Sequence, residues 1–275
     1  MRVIASALGL SRSNLIERRQ RRYFVRRRRP VDDSGLTEHI KRVVDVRPTY
    51  GYRRTTRLVS RALASAGRAA VNAKRVYRIM RAQGWLLARY TGKSTRTHDG
   101  VIITLRSNLR WCSDAFEIRC WSGERVQVAF SLDCCDREVM SYVATSAAIT
   151  GEMIRDLMAE SVEHRFGAEV LRAPHAVEWL SDNGPPYTAT ETRDFGEKLG
   201  LLVCTTPAYS PESNGMAESF VKTFKRDYVY VNELHDAASV MRQLAGWFED
   251  YNEVHPHKGL RMQSPREYRK ATANA

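Results

Sequence analysis

The sequence has few cysteines and lacks the arrangement that a disulfide framework or a zinc site requires. Only five occur among 275 residues, an odd number, and no Cys-x-x-Cys pair is present. Four of them fall in or beside apolar segments that resemble strands. We therefore interpret the cysteines as reduced thiols of a buried core and predict no zinc site.

Long apolar runs are also missing. No segment approaches the roughly 18–20 apolar residues that span a bilayer, and the N-terminus lacks the pattern of a signal peptide. The hydrophobic content of 43% is high enough for a buried core and argues against general disorder. We expect a soluble cytoplasmic protein without a membrane partner.

Acidic residues are scarce in the first part of the chain. Residues 1–107 carry 26 Lys and Arg but only 6 Asp and Glu, whereas residues 108–275 carry 18 basic and 25 acidic residues. The first part is therefore the source of the net charge of +13. This asymmetry predicts that the basic part binds a polyanion, and that the acidic part uses its carboxylates otherwise or exposes them to solvent.

The densest basic segment is RRQRRYFVRRRR at 18–29, which has eight arginines in twelve positions. Like charges at this density repel one another until phosphates neutralise them, which favours nucleic-acid contact over a merely solvated tail. Residues 5–19 have the turn-then-helix pattern of half a helix-turn-helix, with Ser11 as a cap. We assign residues 1–33 to a basic arm that contains a partial helix-turn-helix.

Three short helical patterns follow within residues 34–90. Apolar residues recur at helical spacing over about 36–46 and again after YGYRR at 50–54. The third pattern, NAKRVYRIMRAQG, begins at the N-cap Asn72, ends at Gly84 and carries basic residues mostly off its apolar face. These features predict a DNA-binding module of the helix-turn-helix type, and the alternative is a helical bundle whose arginines face water.

A polar linker at 91–107 precedes a change from helical to strand periodicity. The predicted order is then β-β-β-α-β-α-β-α, with three antiparallel strands followed by two that right-handed crossovers add. This order predicts a ribonuclease-H-like mixed five-stranded sheet at 108–232 and a C-terminal helical extension at 233–275. The predicted strands are 109–121, 125–135, 137–147, 177–184 and 201–207, and the predicted helices are 150–167, 189–200, 213–228 and 235–252.

Three carboxylates occupy distinctive places in this order. Asp114 lies in the first strand, Asp182 lies where the fourth strand ends, and Glu218 starts the helix after the fifth. Functional groups gather at strand ends in open α/β sheets, so adjacent first and fourth strands would bring the two aspartates together. Three carboxylates in one pocket persist as anions only around a cation, and hard oxygen ligands favour Mg²⁺ or Mn²⁺. Two such ions suit a phosphodiester displacement.

Each acid alone has a simpler interpretation. An Asp-Asn-Gly sequence is usually a turn, and a glutamate at a helix start is usually a partner of the helix dipole. The combination at matching element ends favours the metal site. Asp133 on the second strand is a competing ligand, although we interpret it as structural. His255 and His257 are interpreted as parts of a structural, hydrogen-bonded loop near the active-site helix.

Basic residues follow Glu218 along its helix. Lys222 lies at i+4 and Lys225 at i+7 on the same face, and Arg226 is adjacent. Cations at this spacing could hold the DNA backbone beside a metal-bound phosphate, and the alternative is an ordinary exposed basic helix. The predicted DNA-binding residues are Lys222, Lys225, Arg226, Arg75, Arg78, Arg53 and Arg54.

Several motifs together resemble a known family. SDNG at 181–184 and SPESNGMAESFVKTFKRDY at 210–228 resemble the second half of a DDE motif, and WCSD at 111–114 supplies the first aspartate. LDCCDRE, YNEVHPHKGL and SPREY accompany them, and YGYRR and NAKRVYRIMR precede them. The set resembles OrfB-type transposases of bacterial insertion sequences with an integrase-like core, and most of all the insertion-sequence-2 subgroup. The resemblance covers roughly residues 40–270.

The resemblance implies that Asp114, Asp182 and Glu218 form a catalytic triad that binds two Mg²⁺ or Mn²⁺ ions. It implies a DDE transposase that hydrolyses a phosphodiester at the element end and uses the freed 3′-OH for strand transfer, without ATP or a covalent enzyme intermediate. The implied partners are DNA of the element ends and target, further copies of the chain, and the upstream reading-frame product or a fusion with it. The implied location is the bacterial cytoplasm, at the nucleoid when DNA is bound.

Two other functions stay open on the residues alone. A catalytically inactive DNA-binding regulator derived from a transposase would keep the basic module, but the intact acids argue against it. A plain nuclease of the ribonuclease-H type would have little need of that module. Pro185 and Pro186 depart from the family pattern after SDNG, which should stiffen the loop and leave the Asp182 carboxylate in place.

Overall fold

A computed structural model describes residues 2–7, 9, 11–21, 32–88, 104–205 and 215–273. The predictions for most of the arginine-rich segment, for most of the linker and for the SPESN sequence before Glu218 lie outside the described residues. The chain divides into two compact units, residues 1–39 and 40–275. Within the described part of the chain, no helix has the length and apolar character needed to cross a membrane.

The first unit contains two short helices, α1 (Arg2–Ala7) and α2 (Arg12–Arg21), and the first turns of α3 (Ser34–Val46). Ser11 caps α2 as predicted, since its Oγ accepts the N–H of Asn14 at 3.2 Å. This bond satisfies one of the backbone donors that the first turn of a helix leaves unpaired.

The helical module continues in the second unit with α4 (Tyr52–Ser65) and α5 (Ala73–Ala82), which pack against each other. Asn72 Oδ1 accepts the N–H of Lys74 at 2.8 Å, and Gly84 follows α5 with a φ of 72°. Both predicted ends of α5 are therefore confirmed, because a positive φ just beyond a helix favours glycine. The predicted apolar face of α5 is buried at Val76, Ile79 and Met80.

A mixed five-stranded sheet forms the centre of the second unit, in the order β3-β2-β1-β4-β5. The first three strands are antiparallel, whereas β4 runs parallel to β1 and β5 runs parallel to β4. This topology confirms the predicted ribonuclease-H-like sheet. The strands are β1 (Arg110–Arg119), β2 (Arg125–Asp133), β3 (Val139–Thr145), β4 (Val177–Ser181) and β5 (Leu201–Thr205).

Helices cover both faces of this sheet. Successive side chains of a strand point to opposite faces, so β1 places Cys112 and Phe116 in one core cluster and Trp111 in the other. The first cluster includes residues of α9 and α10, and the second includes residues of α6. The helices of this unit are α6 (Gly151–Phe166), α7 (Pro185–Thr188), α8 (Thr190–Lys198), α9 (Gly215–Phe224), α10 (Ala237–Glu253) and α11 (Pro265–Ala273).

The helix after β5 differs from the prediction in its second half. Helix α9 ends at Phe224 and is followed directly by a π-helical turn, Lys225–Val229. Asp227, Tyr228 and Val229 are all buried there. Three consecutive residues of a regular helix point in different directions, so a single buried face would not include all of them. Helical spacing assumes 3.6 residues per turn throughout, so it could not indicate this change.

The HPH motif after α10 forms a buried loop. The Tyr50 hydroxyl lies 2.7 Å from His255 Nδ1, and the His255 ring packs against Tyr251 and His257. The same ring lies 6.1 Å, centroid to centroid, from Tyr228 of the π-helical turn. These contacts confirm the prediction of a structural, hydrogen-bonded loop near the helix that carries Glu218.

The two buried histidines should make the protein sensitive to acid. Burial lowers the pKa of His257 to about 3 and holds the pKa of His255 well below its usual value. Both therefore stay neutral in the fold at pH values where the unfolded chain takes up protons, near pH 6.5 and below. The free energy of unfolding should fall as the pH decreases from about 6.5, by up to about 1.4 kcal/mol per pH unit for each histidine.

We expect a His257→Gln variant to lose less stability on acidification than the native protein does. The measurement is the urea midpoint at a series of pH values from about 7 to about 5. Parallel pH dependences for the variant and the native chain would contradict a neutral, buried His257.

Candidate active site

Asp114 and Asp182 come from adjacent parallel strands. The register between β1 and β4 pairs Cys112 with Leu180, so each aspartate lies two residues beyond this pair along its own chain. Parallel strands advance together by the same rise per residue. The backbone therefore brings both aspartates to the same place, just beyond the end of β4.

The loop after β4 holds Asp182 by a short turn. Asp182 Oδ1 accepts the N–H of Gly184 at 3.0 Å, a bond that typifies aspartate in turns. Pro185 and Pro186 are the first two residues of α7. Backbone N–H groups at the start of a helix have no partner within the helix, so proline, which lacks one, is tolerated there. A Cβ at Gly184 would lie 3.0 Å from Asp182 Oδ1, so a side chain there would crowd the carboxylate.

Glu218 lies in the first turn of α9, where a negative charge interacts favourably with the helix dipole. Its side chain is 45% exposed, and Lys222 Nζ lies 3.4 Å from its Oε2. The carboxylate is thus accessible to a ligand and is bonded to one of the predicted DNA-binding lysines.

The other two acids act electrostatically on Asp114. Burial, together with the negative charges of Asp182 and Glu218, raises the pKa of Asp114 to about 6, although the N–H of Ala115 opposes the shift. The charge of Asp182 acts from the end of the neighbouring strand β4, and that of Glu218 acts from the first turn of α9. Across the described ranges, no three Asp, Glu, His or Cys side chains are already grouped closely enough to hold an ion.

Two further residues lie beside the aspartates and were not predicted from the sequence. Ser113 precedes Asp114 on β1, and Tyr187 belongs to α7. The Tyr187 hydroxyl is 3.0 Å from Ser113 Oγ, and Tyr187 is 3% exposed. Burial raises the pKa of Tyr187, and so do the charges of Asp114 and Asp182. The bond therefore ties α7 to β1 beside both aspartates. A buried tyrosine needs a polar partner, but its position in SDNGPPY does not indicate which one.

Asp133, the competing ligand, is bound by backbone groups instead. It is fully buried and accepts the N–H groups of Asn108, Cys135 and Asp136 at 2.7, 2.7 and 3.0 Å. These bonds organise the turn between β2 and β3 and support its interpretation as structural.

Comparison with known proteins gives consistent matches across the chain. Family models described as "Integrase core domain" match residues 105–211 and 200–265, and one described as "HTH-like domain" matches residues 30–94. The transposase InsD for insertion element IS2A/D/F/H/I/K of Escherichia coli is 48% identical over 245 residues, which are 88% of this chain and 81% of that protein. The InsD transposase for IS2-9 of strain K12 is also 48% identical, over 88% of this chain and 79% of its own length.

This chain belongs to the insertion-element transposases.

Solved structures show more distant likenesses to this transposase. A chain of the simian T-cell lymphotropic virus intasome in complex with PP2A regulatory subunit B56 gamma has a TM-score of 0.49 and 16% identity, covering 84% of this chain and 73% of its own. The catalytic domain of Mos1 mariner transposase has a TM-score of 0.43 and 19% identity, covering 61% and 82%. The family assignment therefore rests on the sequence matches.

The predicted DNA-binding residues of the transposase fall into different environments. Arg53, Arg78 and Lys222 are exposed. Arg75 and Lys225 are half-buried, and Lys225 Nζ lies 5.6 Å from the centre of the Phe116 ring. In contrast, Arg54 and Arg226 both bind the buried carboxylate of Asp227.

The electrostatic proximity of the three acids can be tested directly. We expect Asp182→Asn and Glu218→Gln each to lower the pKa of Asp114 from about 6, because each removes a nearby negative charge while burial remains. The measurement is an NMR titration of the Asp114 side-chain carboxyl carbon in the metal-free protein. Glu117→Gln on the same strand is the matched control and should leave the Asp114 titration unchanged. An unaltered midpoint in both test variants would show that the acids are not neighbours.

Proposed function

We propose that Asp114, Asp182 and Glu218 are the catalytic residues with which this transposase cleaves DNA at the ends of its element and transfers the freed 3′-OH to target DNA. The main support is the juxtaposition of Asp114 and Asp182 across β1 and β4 together with the effect of both other acids on Asp114. Repelling carboxylates at the edge of a sheet are costly in a metal-free protein, and groups with such perturbed pKa values cluster at functional sites.

The donor set fits Mg²⁺ or Mn²⁺, and we propose that two ions bind. Carboxylate oxygens are the ligands that these hard cations prefer, and Glu218 and Asp182 are exposed enough to accept them. When bound, such ions offset the mutual repulsion of the acids, activate an attacking oxygen and stabilise the leaving one. To share ions, the three side chains would have to come closer together. Asp114 and Asp182 lie on or just beyond neighbouring strands, whereas Glu218 lies in the first turn of α9.

The chain's other residues supply support and DNA contact in this proposal. The Asx turn at Asp182 and the bond between Tyr187 and Ser113 orient the two aspartates. Lys222, beside Glu218, would bind the backbone that flanks the reacting phosphate, and Lys225 would act one turn further along. Exposed basic residues of the helical module would hold the DNA at a distance from the chemistry. The exposed residues are Arg53 and Arg78, and the half-buried Arg75 would contribute beside them.

The proposal extends to the organisation of the protein. Residues 34–90 would be the DNA-binding module, 108–232 the catalytic core and 233–275 its helical extension, with the arm 1–33 and linker 91–107 flanking the module. We propose that copies of the chain assemble on the two element ends and the target DNA, and that the upstream reading-frame product or a fusion with it takes part. The place of action would be the bacterial cytoplasm, at the nucleoid when DNA is bound.

The decisive variant is Glu218→Gln, which removes the negative charge but keeps the size of the side chain. We expect Mg²⁺-dependent joining of a labelled element-end duplex to fall by at least about 100-fold, because a metal-holding carboxylate contributes several kcal/mol to transition-state stabilisation. DNA affinity, measured by filter binding, should change little. The matched control is Glu117→Gln, which should join DNA at the native rate.

The same experiment separates the proposed function from its alternative. A native chain that binds the duplex but joins no strands with either Mg²⁺ or Mn²⁺ would favour a catalytically inactive DNA-binding regulator. Native joining rates in Glu218→Gln would remove Glu218 from the catalytic residues.

A further inference from the structure

Arg53 and Arg54 begin the same helix but have different surroundings. Arg53 is exposed, with its Nε 3.1 Å from the Tyr52 hydroxyl and its guanidinium 5.6 Å from the centre of that ring. Arg54 Nη1 lies 3.0 Å from Asp227 Oδ2, and the Arg54 side chain is 24% exposed. Two consecutive arginines, both predicted to contact DNA, are therefore bound to different parts of the protein.

Asp227 is a buried carboxylate between two arginines. Its side chain is 0% exposed, and Arg226 binds it through Nη2 at 2.6 Å and Nε at 2.7 Å. A buried carboxylate is costly unless charged hydrogen bonds compensate for its lost hydration. Arg54 is the partner that comes from far away in the sequence, so the environment of Asp227 depends on α4 being in place.

Other polar contacts join the segment between α3 and α4 to the C-terminal part of the chain. The Tyr50 hydroxyl bonds to His255 Nδ1, and the Arg54 guanidinium lies 5.2 Å from the centre of the Tyr50 ring. Arg47 binds Asp250, which also accepts the hydroxyl of Tyr228 at 2.8 Å. The end of α3 and the start of α4 are thereby bound to the π-helical turn, to α10 and to the HPH loop.

Asp227 and Glu218 belong to one continuous helical segment. The π-helical turn starts directly after Phe224, whose φ of −62° and ψ of −47° are helical. Any displacement of Asp227 relative to α4 is therefore transmitted along a helix to the residue proposed to be catalytic.

We propose that the Arg54–Asp227–Arg226 junction is a positioning device. It holds the helical DNA-binding module in a fixed orientation on the segment that carries Glu218, so Arg54 acts through Asp227 and not on DNA. This inference rests on the proposed catalytic role of Glu218. A fixed orientation of the module would place the DNA that it holds in a defined position relative to the active site.

Binding to DNA tests the role of Arg54 without requiring catalysis. The probe is a mixed-sequence duplex, and the affinity of the full chain is measured at several KCl concentrations. Each phosphate contact contributes about 0.9 to the slope of log K against log salt concentration. We expect Arg53→Gln to reduce the slope by about 0.9, and Arg54→Gln to leave it unchanged. A reduction in Arg54→Gln as large as in Arg53→Gln would overturn the proposal, because Arg54 would then contact phosphate.

The rate of joining tests positioning. At saturating element-end duplex and Mg²⁺, we expect Arg54→Gln and Asp227→Asn each to slow joining by about 10- to 100-fold with unchanged DNA affinity and binding capacity. The double variant should be no slower than the slower single variant, because both changes remove the same contact. Arg54→Lys keeps the charge and should recover most of the rate. A merely structural role would reduce the binding capacity and the rate together.

Hydrogen exchange separates a failure of this inference from a failure of the proposed function. Arg54→Gln and Asp227→Asn should each increase amide exchange in Lys225–Val229 and in the first turn of α4, but not in the central strand β2. If the native chain does not join DNA, the proposed function fails and the junction is still tested by exchange and by the salt dependence. Native joining rates and native exchange in both variants would overturn the junction.

Discussion

The parallel pairing of β1 with β4 fixes where two of the three acids lie. Its register places Asp114 and Asp182 side by side although 67 residues lie between them in the sequence. The antiparallel strands β2 and β3 and the parallel strand β5 extend the sheet on either side, and helices on both faces exclude water from it. Glu218, the third acid proposed to be catalytic, belongs to α9, which packs on the same sheet.

Arginine side chains bind several buried carboxylates that have a structural role. Buried Asp136 accepts two hydrogen bonds from Arg165, at 2.8 and 2.9 Å. Although burial opposes it, a hydrogen bond from His164, the nearby charge of Arg165 and hydrogen bonds from Arg269 and Arg266 lower the pKa of Glu138. At Asp114 burial and neighbouring carboxylates act in the opposite direction and raise the pKa. Basic side chains thus compensate for the burial of Asp136 and Glu138, whereas burial and the charges of two other carboxylates disfavour the anion of Asp114.

The same use of arginine explains why composition alone misrepresents the basic helical module. An excess of positive charge predicts contact with a polyanion, and Arg53 and Arg78 are exposed as that prediction requires. Arg47, Arg54 and Arg61 instead bind carboxylates of the second half of the chain, namely Asp250, Asp227 and Glu267. Part of the charge asymmetry is therefore complementarity between two segments of one protein.

Local patterns in the sequence determined the elements and their order. The caps at Ser11 and Asn72, the turn at Gly84, the period-two strands and the apolar face of α5 all act over a few residues, so they could be predicted without a structure. The topology followed because short connections and right-handed crossovers leave few alternatives. Only the tertiary structure decided the partners of Arg54, Arg226 and Tyr187 and the π-helical turn that buries Asp227. The Arg54–Asp227 and Tyr187–Ser113 contacts join residues 173 and 74 positions apart, and no local periodicity encodes such contacts. Arg226 binds its neighbour in the sequence, but it does so because the fold buries Asp227, whose charge then requires compensation.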